Sequence, residues 1–333
     1  MKAVVLSEIL KPVAYQEVDM PTDLADDEAL VKIMAAAINH RDIYISEGLY
    51  AGIKLPAVLG SDAVGVVVSV GKAVDAQVWH GARVLINPNI NWGEREDTQA
   101  KKYEVLGMPT QGTMAEYIKV PLHRLHFAPL HLTVEQAAAI PLAGLTAYRA
   151  LFSRAQARKG DRVLISGIGG GVAVFAMQFA LAAGLETWVT SSSDTKIARA
   201  IHMGAKGGVN YKEKDWHKSL QTQAGGGFDV IIDSAGGEGF GYFIDIANPA
   251  ARIAFYGGTQ GKFTVNPQKM FWKQISLLGS TMGSDNEFEE MLAFISKHEI
   301  APLLDSVWPM LDAQKAFDYM RDGQQFGKII LLS

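Results

Sequence analysis

The sequence contains no cysteine among its 333 residues. Disulfide bonds are therefore excluded, and so are zinc and iron–sulfur sites held by cysteine thiolates. An excess of charge of one sign is also absent, because 31 lysine and arginine residues stand against 35 aspartate and glutamate residues, for a formal net charge of −4. This balance offers no basic surface to nucleic acid or to an anionic membrane. We predict neither as a partner.

Long hydrophobic runs are missing as well. The most apolar segment, Phe175–Gly184, is shorter than the roughly 20 residues that cross a bilayer. No secretory leader pattern precedes the strand-like run KAVVL that follows Met1. A hydrophobic content of 48% with 20% charged residues is typical of a globular enzyme, and 333 residues favour two domains. We expect a cytoplasmic enzyme.

A glycine loop lies between a strand pattern and a helix pattern in Arg162–Gly184, RVLISGIGGGVAVFAMQFALAAG. Backbone N–H groups and a helix N-terminus in such a unit bind the pyrophosphate of a dinucleotide. The GxGxxG spacing is incomplete, since the best register starts at Ile168 and continues with Gly170 and Ala173. A glycine-rich turn in another strand–helix unit is the alternative. A second strand pattern at Glu186–Thr190 favours dinucleotide binding.

The pattern of predicted elements changes near Asp161. Before it, short alternating runs separated by Gly, Pro, Asp and Asn predict a β-rich domain, with a helix over Leu132–Ser153 capped by Thr133 and an exposed loop or lobe over Asn87–Gly112. After it, strands alternate with helices, which predicts an α/β fold with a doubly wound parallel sheet. The predicted strands are Arg162–Ser166, Glu186–Thr190, Gly208–Asn210, Asp229–Asp233, Ala251–Tyr256 and Ser276–Gly279. A last strand, Lys328–Leu332, is expected to return to the first domain.

Seven segments carry a family resemblance in their order along the chain. They are INHRDIYISEGLY (38–50), LPAVLGSDAVGVVVSVG (55–71), GTMAEY (112–117), IPLAGLTAYRAL (140–151), ISGIGGGVAVFAMQFA (165–180), FDVIIDSAGG (228–237) and FGKIILL (326–332). In these segments the chain resembles the medium-chain dehydrogenase/reductases, in their zinc-independent quinone oxidoreductase branch. The resemblance implies a GroES-like catalytic domain over residues 1–128, a Rossmann domain over 129–281 and a C-terminal segment over 282–333 that returns to the catalytic domain.

The resemblance also bears on metal binding. Zinc-containing relatives have a cysteine where Asn39 stands, a histidine where Ser61 stands and a third ligand near Leu142. A catalytic zinc needs three nitrogen, sulfur or carboxylate ligands, which these residue types do not supply. The loop corresponding to Asn89–Tyr103 lacks the four cysteines of the structural zinc. His40 is a conceivable replacement ligand, although a lone histidine more often packs or hydrogen-bonds. We predict no metal.

Four residues are candidates for catalysis. The resemblance implies that Asn39 faces the nicotinamide and the substrate, that Asp42 belongs to the family pattern N-x-x-D, and that Tyr44 and Tyr50 border the substrate cleft. Tyr50 is favoured as proton donor or oxyanion partner. A core role for Tyr44, a helix cap for Asp42 and a surface ion pair for Arg41 are the alternatives.

Cofactor preference depends on the end of the second Rossmann strand, in TWVTSSSDTK. Ser191, Ser192 and Ser193 stand where an NAD enzyme places an acid against the ribose 2′-hydroxyl. The absence of a carboxylate there permits a 2′-phosphate, which the serines and Lys196 can bind. NADPH is therefore favoured over NADH. Asp194 counts against it, and the serines are alternatively only helix caps, with Asp194 as the N-cap.

Further cofactor-binding candidates come from the glycine loop, from the ends of later strands and from the resemblance. They are Gly169, Gly170, Gly171, Val172, Ser234, Gly257, Thr146, Tyr211 and Lys328. Tyr211 matches a position beside the adenosine phosphate in NADPH-using relatives, and Thr146 one near the nicotinamide. Lys328 matches a basic position that reaches the pyrophosphate; a solvated end of an edge strand is the alternative.

These features predict an oxidoreductase for an already activated acceptor. Without zinc to polarise an alcohol or aldehyde, hydride transfer from NADPH suits a quinone or an α,β-unsaturated carbonyl. The alternatives are an enoyl-thioester reductase, an alcohol dehydrogenase-like enzyme or a non-catalytic nucleotide-binding protein. The resemblance further implies a homodimer joined at the strand Ser276–Gly279.

Overall fold

The computed structural model of the protein describes all 333 residues, which form two compact units. Unit 1 comprises Met1–Ala143 and Ser284–Ser333, and unit 2 comprises Gly144–Gly283. Residues 129–143, assigned to the second domain from sequence, lie in unit 1, where the Leu142 N–H donates to the Asp62 side chain at 2.7 Å. None of the helices combines the length and apolarity that crossing a membrane demands.

Regular elements cover most of the chain. The strands are β1 (Lys2–Leu6), β2 (Ala14–Glu17), β3 (Glu28–Ala37), β4 (Ala57–Val58), β5 (Asp62–Val70), β6 (Arg83–Ile86), β7 (Asn89–Ile90), β8 (Glu104–Val105), β9 (Tyr117–Pro121), β10 (Leu125–Phe127), β11 (Arg162–Ile165), β12 (Glu186–Ser191), β13 (Gly207–Asn210), β14 (Phe228–Asp233), β15 (Ala247–Phe255), β16 (Ser276–Gly279), β17 (Leu304–Pro309) and β18 (Lys328–Leu332). The α-helices are α1 (His40–Ser46), α2 (Ala76–Trp79), α3 (Val134–Ala138), α4 (Pro141–Tyr148), α5 (Gly171–Ala182), α6 (Asp194–His202), α7 (Trp216–Ala224), α8 (Gly241–Ile246), α9 (Pro267–Lys273), α10 (Asp285–Lys297) and α11 (Ala313–Arg321).

Unit 1 is built on a seven-stranded sheet, in which six strands follow the order β10-β6-β5-β3-β18-β17 and the seventh, β9, pairs with β3. One edge of β3 pairs with β5; the other pairs first with β9 and then with β18, where Ile330 lies opposite Ala37. The last strand, β18, therefore lies in the sheet of unit 1 beside β3. The strand pairs β3–β18 and β3–β5 place the ends of β3, β5 and β18 side by side, and the candidate site of unit 1 is built there.

Unit 2 contains a six-stranded parallel sheet in the order β13-β12-β11-β14-β15-β16. This is the doubly wound order, and the predicted α/β class is confirmed. Val163, Leu164 and Ile165 of β11 are fully buried, as expected for a strand covered on both faces. The strand order reverses between β11 and β14, so the carboxyl ends of these strands open a crevice for a ligand.

Two predicted segments take a more definite form in the structure. The stretch Asn87–Gly112 contains the β7–β8 hairpin and buries Trp92, whose ring stands edge-on to Tyr103 at 5.1 Å. Of the two forms predicted for this stretch, an exposed loop or a lobe, the hairpin and the buried Trp92 therefore agree with the lobe. The predicted helix over Leu132–Ser153 is interrupted between α3 and α4, because Pro141 lacks the N–H that would continue α3. Its predicted cap is confirmed, since the side chain of Thr133 accepts from the third N–H of α3.

Candidate functional site

A buried ion pair lies at the ends of β3, β5 and β18 in unit 1. Lys328 Nζ is 2.9 Å from Asp62 Oδ2, and the two residues are 3% and 0% exposed. Asn39 bridges the pair, because its Nδ2 donates to Asp62 at 2.9 Å and its Oδ1 accepts from Lys328 at 2.6 Å. The amide that was expected to face cofactor and substrate is therefore bound on both sides within unit 1.

The position of Lys328 departs from both sequence interpretations. Its three N–H groups are directed to the Ile38 carbonyl at 3.0 Å, to Asn39 and to Asp62. No N–H donor is left for a pyrophosphate. The solvated-edge alternative is also wrong, because β18 lies between β3 and β17 and covers the residue.

A second cation, Arg41, is buried next to this pair on helix α1 and is 9% exposed. Its Nη1 donates to Ser61 Oγ at 2.5 Å and to the Leu106 carbonyl at 2.8 Å. Its Nη2 donates to the Met108 carbonyl at 3.3 Å and to the Tyr50 hydroxyl at 3.2 Å. No carboxylate forms an ion pair with it, so the predicted surface ion pair is wrong. Sequence reasoning missed this residue because periodicity does not reveal which polar side chain folds inward.

The segment that holds Arg41 depends on a glycine. Gly107 has φ +94°, and a Cβ placed on it would lie 2.4 Å from the Gly60 carbonyl oxygen. Only glycine permits this close approach. The carbonyls of Leu106 and Met108, on either side of Gly107, both accept hydrogen bonds from the Arg41 guanidinium.

Asp42 caps helix α1, which agrees with the alternative given for it. Its Oδ2 accepts from the Asn39 N–H at 2.9 Å, while its Oδ1 is buried without a partner. Burial, with a smaller contribution from the charge of Asp62, raises the pKa of Asp42 to about 6. Arg41, the Asn39 N–H and Lys328 oppose this shift.

Replacing Asp42 by asparagine tests this ionisation. The unfolded chain loses the Asp42 proton near pH 3.8 and the folded chain near pH 6, so stability falls as pH rises between these values and stays low above them. The substitution keeps an acceptor for the Asn39 N–H and avoids the buried charge. We compare the change in the free energy of unfolding that Asp42→Asn causes at pH 8 with the change it causes at pH 4. The change at pH 8 is expected to be more stabilising by on the order of 3 kcal/mol. Urea denaturation at both pH values measures it. Asp23→Asn, at an exposed aspartate, serves as control, and an equal effect of Asp42→Asn at both pH values contradicts the prediction.

The structure does not join Tyr44 to these residues. Its side chain is half-buried, its nearest aromatic neighbour is His40 at 6.4 Å, and burial raises its pKa. Tyr50, by contrast, packs against the hydrophobic core of unit 1 and accepts from Arg41. Of the four catalytic candidates, Asn39 and Asp42 are in contact with each other. Tyr50 contacts Arg41, which lies between Asn39 and Asp42 in the sequence.

In unit 2, the glycine loop connects β11 to the N-terminus of α5. Gly169 has φ +135°, Gly170 is the N-cap, and Gly171 and Val172 are the first helical residues. No side chain caps α5. Since the first N–H groups of a helix lack partners within it, those of α5 can bind an anion.

A buried aspartate that the sequence analysis missed organises this loop. Asp233, 1% exposed at the end of β14, accepts from the Ser166 hydroxyl at the end of β11. Its other oxygen accepts from the N–H groups of Ala235 and Gly236 at 3.1 and 2.8 Å. Burial raises the pKa of Asp233, opposed by these hydrogen bonds. The sequence did contain a signal for it: Asp233 ends an apolar strand and is followed directly by Ser-Ala-Gly-Gly.

The candidates after β14 and β15 are neighbours. A Cβ on Gly257 would lie 2.5 Å from the carbonyl oxygen of Ser234, so the backbones meet only because residue 257 is glycine. Thr146 is buried in α4, and its hydroxyl lies 3.8 Å from Met282 Sδ.

Serine residues form the end of β12. Ser191 is buried and its hydroxyl donates to the Ile168 carbonyl of the glycine loop at 3.3 Å. Ser192 is half-buried and its hydroxyl makes no hydrogen bond. Tyr211, which follows β13, donates its N–H to the Ser191 carbonyl and is 43% exposed. An accessible hydroxyl and a phenol thus stand at the carboxyl ends of β12 and β13.

The cap of α6 differs from the one proposed in sequence. Ser193 is the N-cap, and its hydroxyl accepts from the Lys196 N–H at 3.4 Å. Asp194 is instead the first helical residue, and its carboxylate accepts from Asn210 at 3.1 Å.

Known proteins resemble the chain along its length. Residues 25–130 match the alcohol dehydrogenase GroES-like domain, and residues 171–297 match the zinc-binding dehydrogenase domain. A zinc-type alcohol dehydrogenase-like protein of Leptosphaeria maculans is 33% identical over 97% of this chain and 95% of its own length. Quinone oxidoreductase of Rattus norvegicus is 30% identical over 92% and 89%. The crystal structure of an NAD-dependent alcohol dehydrogenase superposes with a TM-score of 0.93 at 33% identity and covers 100% of both chains.

Proposed function

We propose that this chain, which belongs to the medium-chain dehydrogenase/reductase superfamily, is an NADPH-dependent reductase of quinones or α,β-unsaturated carbonyl compounds that works without zinc. One observation carries the proposal. Asn39 is bound by Lys328 and Asp62, and Ser61 is bound by Arg41. The polar group that remains to act on a substrate there is the Tyr50 hydroxyl, which accepts from Arg41 and keeps its own hydrogen to donate.

The residues present do not fit a zinc ion. An amide and a hydroxyl stand at two of the positions that would hold it, and the third is Leu142. The hydroxyl of Ser61 already accepts from a guanidinium, whose positive charge would repel a dication. Nowhere in unit 1 or unit 2 do three or more His, Cys, Asp or Glu side chains group as metal ligands.

The residues of unit 2 fit a dinucleotide. The uncapped N-terminus of α5 suits the pyrophosphate. The Ser192 hydroxyl suits a 2′-phosphate. Lys196 is near Ser192 in sequence, and Tyr211 follows β13, the strand that pairs with β12. Bound NADPH supplies the hydride, and Thr146, Ser234 and Gly257 are the proposed contacts toward its nicotinamide end.

Tyr50 supplies the proton in the proposed reaction. Hydride addition to the β-carbon of an enone forms a C–H bond, shifts the pair of the C=C bond to the bond between the α-carbon and the carbonyl carbon, and moves the pair of the C=O bond onto the oxygen; the enol formed on protonation of that oxygen tautomerises to the saturated ketone. The Tyr50 hydroxyl donates to that oxygen and transfers its proton, and solvent restores the phenol. A quinone takes up the same hydride and proton to become a hydroquinone.

Kinetics with a panel of acceptors tests the function. Purified protein is assayed for NADPH and NADH consumption with benzoquinones, enones, enoyl thioesters and aldehydes, and for alcohol oxidation with NAD⁺ and NADP⁺. We expect NADPH-dependent reduction of quinones or enones that persists after chelation, with less than one zinc per chain by elemental analysis. Alcohol oxidation alone, or reversible loss of turnover on chelation, contradicts the proposal.

A carboxylate at Ser192 is expected to reverse the cofactor preference. Ser192→Asp places a negative charge at the proposed 2′-phosphate site and an acceptor for a 2′-hydroxyl. We expect the ratio of kcat/KM for NADPH to that for NADH to fall by at least about tenfold, equivalent to about 1.4 kcal/mol. Ser219→Asp on the exposed side of α7 adds the same charge elsewhere and is the control. A wild-type preference for NADH contradicts the assignment.

We propose that the protein is a homodimer joined at β16. This strand is an edge of the parallel sheet, and the preceding helix α9 exposes Phe271 and Trp272 by 67% and 83%. Exposed aromatic groups beside a free strand edge favour association. Light scattering after gel filtration is expected to give the mass of two chains for the wild type and of one chain for Trp272→Glu. Leu130→Glu, at a residue of unit 1 that is 96% exposed, is the control and is expected to remain a dimer. A monomeric wild type contradicts the proposal.

A further inference from the structure

Arg41 is a buried cation that the reaction described above does not yet use. Its four Nη hydrogens are directed to four oxygens, all of them neutral: Ser61 Oγ, the Leu106 and Met108 carbonyls, and the Tyr50 hydroxyl. Its Nε is buried without a partner. The charge of Arg41 lowers the pKa of Asp42, but the two side chains form no hydrogen bond. Burial of a charged group without a hydrogen-bonded counter-ion is costly, and such groups often serve a function.

The contact between Arg41 and Tyr50 is twofold. The guanidinium carbon lies 4.8 Å from the centre of the Tyr50 ring, and Nη2 donates to the phenol oxygen at 3.2 Å. The first contact places the cation over the negative face of the ring. The second makes the phenol oxygen an acceptor, so its own hydrogen points away from Arg41. Tyr50 donates no hydrogen bond within the protein.

The charge of Arg41 is also fixed in place. All four of its Nη hydrogen bonds go to groups outside its own helix: the Tyr50 hydroxyl, Ser61 just before β5, and the carbonyls on both sides of Gly107. A guanidinium held as a rigid fork loses little further entropy when the reaction occurs. A lysine at this position would make fewer hydrogen bonds and hold the phenol less firmly.

We propose that Arg41 is a positioning residue for the reduction, which holds the Tyr50 phenol with its proton directed to the acceptor. This inference rests on the proposed function and deepens it. It gives Arg41 a role in the proton transfer from Tyr50.

A double-mutant cycle tests the coupling. Arg41→Met, Tyr50→Phe and the double variant are assayed for NADPH-dependent reduction of the best acceptor of the panel. We expect Arg41→Met to lower kcat by at least about tenfold with a smaller change in KM, because a small displacement of a catalytic group is costly. The double variant is expected to be no slower than Tyr50→Phe alone. Multiplicative effects in the double variant overturn the proposal, as does a change in KM alone.

Rescue separates positioning from a structural role. Methylguanidinium is added to Arg41→Ala and to Arg41→Ala/Tyr50→Phe, and we expect kcat to recover saturably in the first only. Arg124 is the matched control, because it is also buried and donates to a backbone carbonyl, that of Asn87, but does not contact Tyr50. Arg124→Met is expected to combine multiplicatively with Tyr50→Phe. Recovery in both Arg41 variants overturns the proposal.

A crystal structure of Arg41→Met gives a readout that does not depend on turnover. We expect the Tyr50 oxygen to move by more than about 1 Å, the scale at which misplacement affects a catalytic group. An unmoved Tyr50 overturns the positioning role, even in an enzyme that reduces none of the acceptors. If none of the acceptors is reduced but Tyr50 is displaced in Arg41→Met, the proposed function is wrong, whereas the positioning of Tyr50 by Arg41 is supported.

Discussion

Replacing Lys328 by methionine is expected to lower the free energy of unfolding by about 3–5 kcal/mol, because removing one partner of a buried ion pair leaves the other charge uncompensated. Lys328 and Asp62 are 3% and 0% exposed, and their charged atoms are 2.9 Å apart. The methionine also leaves the Ile38 carbonyl and the Asn39 Oδ1 without the donor they share. Urea denaturation at pH 7.5 measures the loss.

Two variants show whether the loss comes from the unpaired charge. In Lys328→Met/Asp62→Asn the buried carboxylate is gone while an oxygen remains to accept from Leu142, and we expect more than half of the loss to be recovered. Lys315→Met breaks an ion pair with Asp312 of similar length, 2.7 Å, whose lysine side chain is 71% exposed. That variant is expected to lose less than about 1 kcal/mol. Equal losses for Lys315→Met and Lys328→Met contradict the argument.

Much of the fold was predictable because it depends on local patterns. The parallel strands of unit 2 are short apolar runs bounded by turns, and predicted and observed bounds agree within a residue or two for β11, β12 and β14. For β16 and β18 the bounds coincide. Such runs are recognisable because a strand that is covered by helices on both faces consists almost entirely of apolar residues.

The site was less predictable because its contacts are remote in sequence. Lys328 pairs with Asp62 across 266 positions and Arg41 meets the Leu106 carbonyl across 65. Nothing in the local pattern around Arg41 separates a residue that folds inward from one that faces solvent. A basic residue beginning a β-strand likewise reads as solvated until the pairing of β18 with β3 is known. Polar networks between distant elements therefore require the tertiary structure.

Replacing Tyr50 by phenylalanine is expected to lower kcat for enone reduction by roughly 100-fold, the contribution of a positioned proton donor. The ring remains under the Arg41 guanidinium and against the core of unit 1, so only the hydroxyl is lost. The affinity for NADPH, measured by fluorescence titration, should not change, because the proposed nucleotide contacts lie in unit 2. A lower kcat with an unchanged nucleotide affinity therefore isolates the proton-transfer step.

The matched control for this variant is Tyr15→Phe, which removes a hydroxyl from another partly buried tyrosine packed on the same hydrophobic cluster as Tyr50. It should leave turnover near the wild-type value. A solvent deuterium isotope effect that is present in the wild type and absent in Tyr50→Phe would assign the proton to the phenol. If Tyr50→Phe keeps full turnover, the proton comes from water instead.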